Sequence, residues 1–178
     1  MRFNATTVVG AWIVEPELHH DERGFFGRTW DTTEFAAHGL ESGLVQCSVS
    51  YNSRRGTLRG MHYQVAPHEE TKLVRCTSGA IFDVAVDLRH DSPTFCQWFG
   101  AELTALNRLA LYIPKGCAHG FLTLHDESEV LYQMAEPWVP EAARGVRFDD
   151  PSFGIEWPGE VVMVNERDRL YPDYETLG

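Results

Sequence analysis

Five side chains able to move or stabilise a proton are spread over the middle of the chain. His62 and His119 carry imidazoles, Lys72 a cation, Tyr132 a phenol and Asp83 a carboxylate. A lone histidine is most often a structural residue whose ring nitrogens have hydrogen-bond partners. Two histidines on inward-facing strands, near these other groups, are harder to explain as packing because each buried polar group needs a partner. The set therefore favours proton transfer inside a cavity.

The spacing around the two histidines also matches a metal-binding pattern. The first motif consists of Gly60, His62, Gln64, Glu69 and Gly79, and the second of Pro114, Gly116 and His119. This order resembles the two motifs of the cupin superfamily, small jelly-roll β-barrels whose metal-binding members carry two histidines one residue apart in the first motif. Gln64 replaces the second histidine, and an amide is a poor ligand for a transition metal. We therefore expect no metal, although His62, Glu69 and His119 leave a three-ligand site as an alternative.

Short apolar runs separated by turn residues predict an all-β fold. They recur at intervals of roughly 8 to 15 residues, which is typical of an antiparallel sandwich or barrel. The predicted strands cover residues 8–14, 44–51, 73–77, 80–88, 95–103, 110–114, 120–124 and 130–134. One helix is predicted over 32–38, with Asp31 as its N-cap and Gly39 at its C-terminal stop. The expected fold class is an all-β, cupin-type jelly-roll β-barrel with a few short helices.

The run over 80–88 places two carboxylates on one face of a strand. Its alternation puts Asp83 and Asp87 on the same side, opposite a row of apolar residues. The alternation alone predicts that the face with Asp83 and Asp87 is exposed to solvent. The two histidine motifs favour the opposite interpretation, in which Asp83 lies inside the barrel.

Length and charge limit the function classes. The chain has 178 residues, so we treat residues 1–178 as a single domain. A formal charge of −11 and a pI of about 5.1 argue against a nucleic-acid or anionic-membrane surface, because neutralising phosphates needs clustered Lys and Arg. The first apolar run is broken by Gly10 and followed by Glu15 and Glu17, so we expect neither a signal peptide nor a membrane span. We expect a cytoplasmic protein.

Several longer strings match one family closely. They occupy residues 21–26, 56–64, 72–76, 82–89, 92–94, 114–121, 149–151 and 166–168. Together they resemble the dTDP-4-dehydrorhamnose 3,5-epimerase family, over residues 10–168. The resemblance implies a cofactor-free enzyme that inverts carbon C3, C5 or both beside the 4-keto group of a nucleotide-linked 6-deoxy sugar.

The resemblance also implies roles for four catalytic residues. Removing a proton beside a ketone requires a base, a cation or donor at the developing enolate oxygen, and an acid on the opposite face. His62 is the expected base. In the family a carboxylate near the C-terminus pairs with this histidine, and Asp168 occupies the matching position, where it is expected to fix the tautomer of His62. Lys72 fits the cation and Tyr132 the acid.

A second group of residues is expected to bind the substrate. Arg23 and Arg59 are natural diphosphate ligands, since guanidinium groups match phosphate oxygens. Phe26 and Trp138 are expected to stack on the base, Gln46 to read its edge, and His119 with Asp83 to line the sugar pocket. The full expected binding set is Arg23, Phe26, Gln46, Ser48, Arg59, Asp83, His119 and Trp138. In the family Arg23 and its neighbours reach the partner subunit's site, which implies a homodimer.

Departures from the family pattern keep other functions open. Residues 47–49 read Cys-Ser-Val where the family often has Asp-Asn-His, Arg28 stands where an acidic residue is common, and Trp138 where a Tyr is common. These changes concern nucleotide and sugar recognition and spare the proton-transfer set. The alternatives are a mono-epimerase acting on a different nucleotide sugar, a metal-dependent cupin isomerase or oxygenase, and a non-catalytic sugar-nucleotide binding module.

Overall fold

The computed structural model describes residues 1–174, which form two facing β-sheets. The strands are β1 (Arg2–Ala5), β2 (Trp12–Glu15), β3 (Leu18–Asp21), β4 (Gly24–Gly27), β5 (Gln46–Asn52), β6 (Thr57–Gln64), β7 (Lys72–Ser78), β8 (Ala80–Asp87), β9 (Trp98–Thr104), β10 (Ala110–Ile113), β11 (Cys117–Thr123), β12 (Ser128–Met134), β13 (Ala143–Gly145) and β14 (Met163–Val164). The helices are α1 (Thr32–Ala37) and α2 (Glu166–Arg169). The all-β prediction with a few short helices is confirmed.

Each large sheet contains six strands. The first sheet has the order β1-β2-β10-β7-β12-β5, and the second has the order β13-β6-β11-β8-β9 with β14 added parallel to β6. The other pairings are antiparallel, including the separate hairpin β3–β4. Neighbouring strands are often distant in sequence, as expected for a jelly roll.

Both faces of β8 are buried. Ile81 and Ala85 face the interior between the sheets, where they pack with Leu111 and Phe121. Residues on the opposite face of β8 pack under the segment that contains Phe153. Asp83 therefore lies in the interior, with no exposed surface, and the solvated-face alternative is wrong. Strand periodicity misleads here because the covering segment buries the apolar face of β8, so that the face with Asp83 can point between the sheets.

Local backbone signals set the ends of the elements. Asp31 caps α1 by accepting hydrogen bonds from the N–H groups of Thr33 and Glu34, and Gly39 follows with φ of 71°, as predicted. Gly10 with φ of 82° delays the first predicted strand to Trp12, and a positive φ at Cys96 delays the 95–103 strand to Trp98. Within residues 1–174 no helix has the length and apolarity to cross a bilayer.

Candidate active site

A cavity of about 880 Å³ opens between the two sheets and collects most of the predicted site residues. The predicted residues that line it are Gln46, Ser48, Arg59, His62, Lys72, His119, Tyr132, Trp138 and Asp168. Asp83 lies directly behind His119. The nine lining residues come from five strands, one helix and one loop, so the barrel fold is what brings them together.

His62 and Asp168 form a hydrogen-bonded pair at the cavity wall. His62 lies on β6, and its Nε2 lies 2.8 Å from Oδ1 of Asp168 on α2. The Asp168 side chain is only 6% exposed, whereas that of His62 is 40% exposed. Since the carboxylate accepts the ring proton on Nε2, the lone pair of the neutral ring is left on Nδ1. The pair is therefore arranged as a base with an orienting carboxylate.

The two histidines are brought side by side by close contact between β6 and β11. His62 and His119 are direct partners in this pairing, and the register shifts at Gly120. Gly60 has φ of 139°, and a Cβ on it would lie 2.4 Å from the Cα of Gly120. Only glycine permits this backbone approach, so the strands can touch immediately beside the two imidazoles.

Tyr132 faces the histidines from the opposite sheet. It lies on β12, and its ring centroid is 5.9 Å from that of His119 in an edge-on arrangement. Burial raises the pKa of Tyr132 strongly and the charge of Asp83 raises it further, against a hydrogen bond with Ser50 and the charge of Arg59. The phenol therefore keeps its proton at neutral pH and is available as a donor.

His119 is held by a fully buried carboxylate. Its Nε2 lies 2.7 Å from Oδ1 of Asp83, and both side chains are at least 95% buried. Burial raises the pKa of Asp83, while His119 and Lys72 oppose this rise. Within the described residues, Oδ2 of Asp83 has no hydrogen-bond partner. The pair fixes the His119 ring against the cavity floor.

Lys72 is paired with an acid that sequence reasoning missed. Its Nζ lies 2.9 Å from Oε1 of Glu70, and it donates to the backbone oxygen of His62 at 3.2 Å. Glu69, which the metal motif singled out, does not line the cavity. Glu70 could have been found from its position two residues before Lys72. In extended backbone, side chains two residues apart lie on the same side.

Gln64 uses its amide to hold loops. Its Nε2 donates to the backbone oxygens of His68 at 3.0 Å and Pro137 at 3.2 Å, and its Oε1 accepts from the N–H of Val139 at 2.6 Å. Across the described part of the chain, no three His, Cys, Asp or Glu side chains gather as a metal site would require. His62, Glu69 and His119 therefore do not converge, and the donor set does not fit the three-ligand alternative.

Two parts of the cavity, at the two ends of β5, carry groups suited to a nucleotide. Arg59 is oriented by Asn52, whose Oδ1 accepts from Arg59 Nε at 2.7 Å. Asn52 is 2% exposed and is fixed by donating to the backbone oxygen of Ser128, and sequence reasoning did not single it out. Gln46 accepts a hydrogen bond from the backbone N–H of Trp138 at 3.0 Å, which places this exposed indole at the rim.

Two predicted binding residues lie outside the cavity of their own chain. Arg23 and Phe26 belong to the β3–β4 hairpin, where Arg23 pairs with Asp21 at 2.6 Å and its side chain is 85% exposed. Phe26 is 70% exposed. Arg28, the third residue noted on this hairpin segment, pairs with the helix cap Asp31. The hairpin therefore presents a cation and an aromatic ring to the outside.

The sequence and fold of the chain are similar to those of known proteins. A family model described as dTDP-4-dehydrorhamnose 3,5-epimerase matches residues 5–176. A dTDP-4-dehydrorhamnose 3,5-epimerase from Methanothermobacter thermautotrophicus is 47% identical over 171 residues, covering 94% of this chain and 91% of that protein. A structure of the Bacillus anthracis enzyme of the same name, with TDP and PPi bound, has a TM-score of 0.93 at 39% identity, covering 97% of this chain and 99% of that one. A 3′-monoepimerase from Streptomyces bikiniensis, in complex with dTDP-quinovose, has a TM-score of 0.87 at 32% identity, covering 96% and 86%.

Proposed function

Because this chain belongs to the dTDP-4-dehydrorhamnose 3,5-epimerase family, we propose that it inverts C3, C5 or both in a dTDP-linked 4-keto-6-deoxy sugar. The observation that carries the proposal is the His62–Asp168 pair facing Tyr132 across one cavity. Inversion beside a ketone needs a base and an acid on opposite faces of one carbon. The cavity supplies both.

The proposed reaction uses only side chains of the cavity. The C–H bond beside the ketone breaks, its proton goes to Nδ1 of His62, and the electron pair moves to the ketone oxygen. Asp168 stabilises the imidazolium, and the Lys72 cation stabilises the enolate oxygen. Tyr132 then gives its proton to the opposite face of the carbon, and both groups return to their starting states by exchange with water.

The nucleotide is proposed to lie along the cavity wall between Arg59 and Trp138. The Arg59 guanidinium suits the diphosphate, and the protein's net charge of −11 means that such a cation must be supplied locally. The Trp138 indole at the rim suits stacking on the base. Gln46 and Ser48, which line the cavity from β5, suit hydrogen bonds to its edge.

Arg23 and Phe26 are proposed to complete the site of a partner subunit in a homodimer. Their exposure on the β3–β4 hairpin supports this, because neither side chain lines the cavity of its own chain. An equal mixture of Arg23→Ala and His62→Ala chains tests it, since a hybrid dimer would contain one intact site. Recovery of about a quarter of wild-type activity is expected from random assortment. No recovery above the separate variants would contradict action across subunits.

Solvent isotope incorporation tests the reaction itself. The enzyme is incubated with dTDP-4-keto-6-deoxyglucose in deuterated water, and deuterium is located by NMR after each interval. Deuterium at C3 and C5 indicates a double epimerase, and deuterium at one of them a mono-epimerase. Incorporation at neither carbon would contradict the proposal and favour a binding module. The same assay after chelation tests the metal-independent mechanism, which predicts unchanged incorporation.

A further inference from the structure

The helix that carries the orienting carboxylate is too short to hold itself in place. α2 contains four residues, Glu166–Arg169, and only its Asp168 is buried. A single isolated turn is not stable in water, because helix nucleation costs more free energy than one turn returns. The position of Asp168 must therefore be set by the chain segments that flank the helix. We call residues 170–174 the C-terminal strap.

The strap lies against the strand beside His62. A Cβ on Gly145 would lie 2.2 Å from the Tyr171 ring, so this ring rests directly on the Gly145 backbone. Gly145 is the direct partner of His62 in the pairing of β13 with β6. Tyr171 is also tied to α2, because its hydroxyl accepts a hydrogen bond from Nε of Arg167 at 2.8 Å.

The far end of the strap is anchored by a buried carboxylate. Asp150 is 1% exposed, and its Oδ2 accepts from the backbone N–H of Tyr174 at 2.7 Å. Its Oδ1 accepts from the N–H of Ser152 at 2.9 Å, and the Ser152 hydroxyl donates back to the Tyr174 carbonyl at 3.1 Å. The Tyr174 ring packs 5.2 Å from that of Phe153. The strap is therefore fixed at both ends.

We propose that Asp150 is a positioning residue, which acts through the C-terminal strap to keep Asp168 on His62. The inference rests on the proposed function only for its catalytic consequence. Asp150 lies in the 149–151 string that family resemblance singled out without a role. Each of its two carboxylate oxygens accepts from a different backbone N–H group, and Asn cannot keep both bonds in this arrangement, because one of its two terminal atoms is a donor.

Asp150→Asn is compared with Asp149→Asn to test the inference. Asp149 is the neighbouring carboxylate and is 57% exposed. It bonds no strap backbone and reaches the strap only through Arg147, which also pairs with the exposed side chain of Asp173. The readout is the tautomer of His62, measured from the ¹⁵N shifts of labelled imidazoles and assigned with His62→Gln. Asp150→Asn is expected to lower the fraction protonated on Nε2, as Asp168→Asn should, and to reduce kcat roughly tenfold with KM nearly unchanged. Asp149→Asn is expected to match wild type.

Other outcomes separate this inference from the proposed function. An Asp150→Asn protein with a wild-type tautomer would overturn the inference, whatever its kcat. If Asp150→Asn does not fold, Tyr171→Ala loosens the middle of the same strap and must shift the tautomer in the same direction, or the inference fails. If wild type lacks epimerase activity, the proposed function fails, while the tautomer comparison still decides the positioning role.

Discussion

Lys72 and Glu70 form an ion pair in the cavity wall, with Nζ 2.9 Å from Oε1 and both side chains about nine-tenths buried. The pair holds the ammonium group where it also bonds the backbone of His62. Each buried charge depends on the other, because removal of one partner leaves the second desolvated and unpaired. Glu70 therefore secures the cation that the proposed mechanism places at the enolate oxygen.

Glu70→Gln is expected to destabilise the fold and weaken the enolate-forming step. Loss of one member of a buried pair costs about 3 to 5 kcal/mol, which urea unfolding would measure as a lower midpoint at constant slope. Glu69→Gln is the matched control, because Glu69 is the adjacent acid and does not line the cavity. Equal stability of the two variants would show that the ion pair contributes no net stability.

Tyr132→Phe is expected to separate proton exchange from inversion. The variant keeps His62 and the ring packing but lacks the donor, so an enolate can form and be reprotonated from its original face. Net inversion should fall by about 100-fold or more, the usual contribution of a general acid, while deuterium still enters the sugar. His62→Ala should lose both. Equal loss of exchange and inversion in Tyr132→Phe would assign Tyr132 to enolate formation as well.

Asn52→Ala is expected to weaken nucleotide binding through Arg59. The substitution removes the oxygen that accepts from Arg59 Nε at 2.7 Å, so the guanidinium loses its fixed orientation. Calorimetry should report dTDP affinity reduced by about 1 kcal/mol, close to fivefold. The control is the double variant with Arg59→Ala, whose affinity should equal that of Arg59→Ala alone. Additive losses would mean that Asn52 acts independently of Arg59.

Asp87 is expected to make folding stability depend on acid pH. Burial opposes its ionisation, but hydrogen bonds from Arg89, Ser92 and Thr94 outweigh burial and lower the pKa of Asp87 to about 2. Since this value lies below the unfolded 3.8, the stabilisation is complete above pH 3.8 and is lost as pH falls through 2. The loss should reach about 2 kcal/mol in urea unfolding at a series of pH values.

Ser92→Ala is the control for this pH dependence. It removes the hydroxyl that donates to Oδ2 of Asp87 while leaving the Arg89 and Thr94 bonds. The difference in unfolding free energy between wild type and Ser92→Ala should therefore shrink as pH falls below about 4. A difference that stays constant down to pH 2 would assign the acid sensitivity to other carboxylates.

Sequence reasoning succeeded where local chemistry decides the structure. Strand alternation predicted the all-β fold, and the cap at Asp31 predicted α1 with the correct start. Alternation also placed Asp83 and Asp87 on one face of β8, yet it left open which face was buried. That question depends on the segment around Phe153, which packs over the sheet from a distant part of the chain.

The partners of the catalytic groups were harder to predict. Asp168 lies in a run of charged residues that looks solvated, and its neighbours Arg167 and Arg169 are indeed exposed. Only the resemblance singled it out, because a four-residue helix has no measurable hydrophobic period. Glu70 and Asn52 owe their roles to contacts with Lys72 and Arg59, which exist only in the folded protein.

The two-layer construction of the barrel has a stereochemical consequence. His62 belongs to the sheet that contains β6, and Tyr132 to the facing sheet that contains β12. A flat enolate held between these layers presents one face to each of them, so the layer order dictates which face loses the proton and which receives it. A substitution that leaves both His62 and Tyr132 in place should change rates without changing product handedness. Between the same two layers, the opposite product handedness would require the sugar ring to bind turned over.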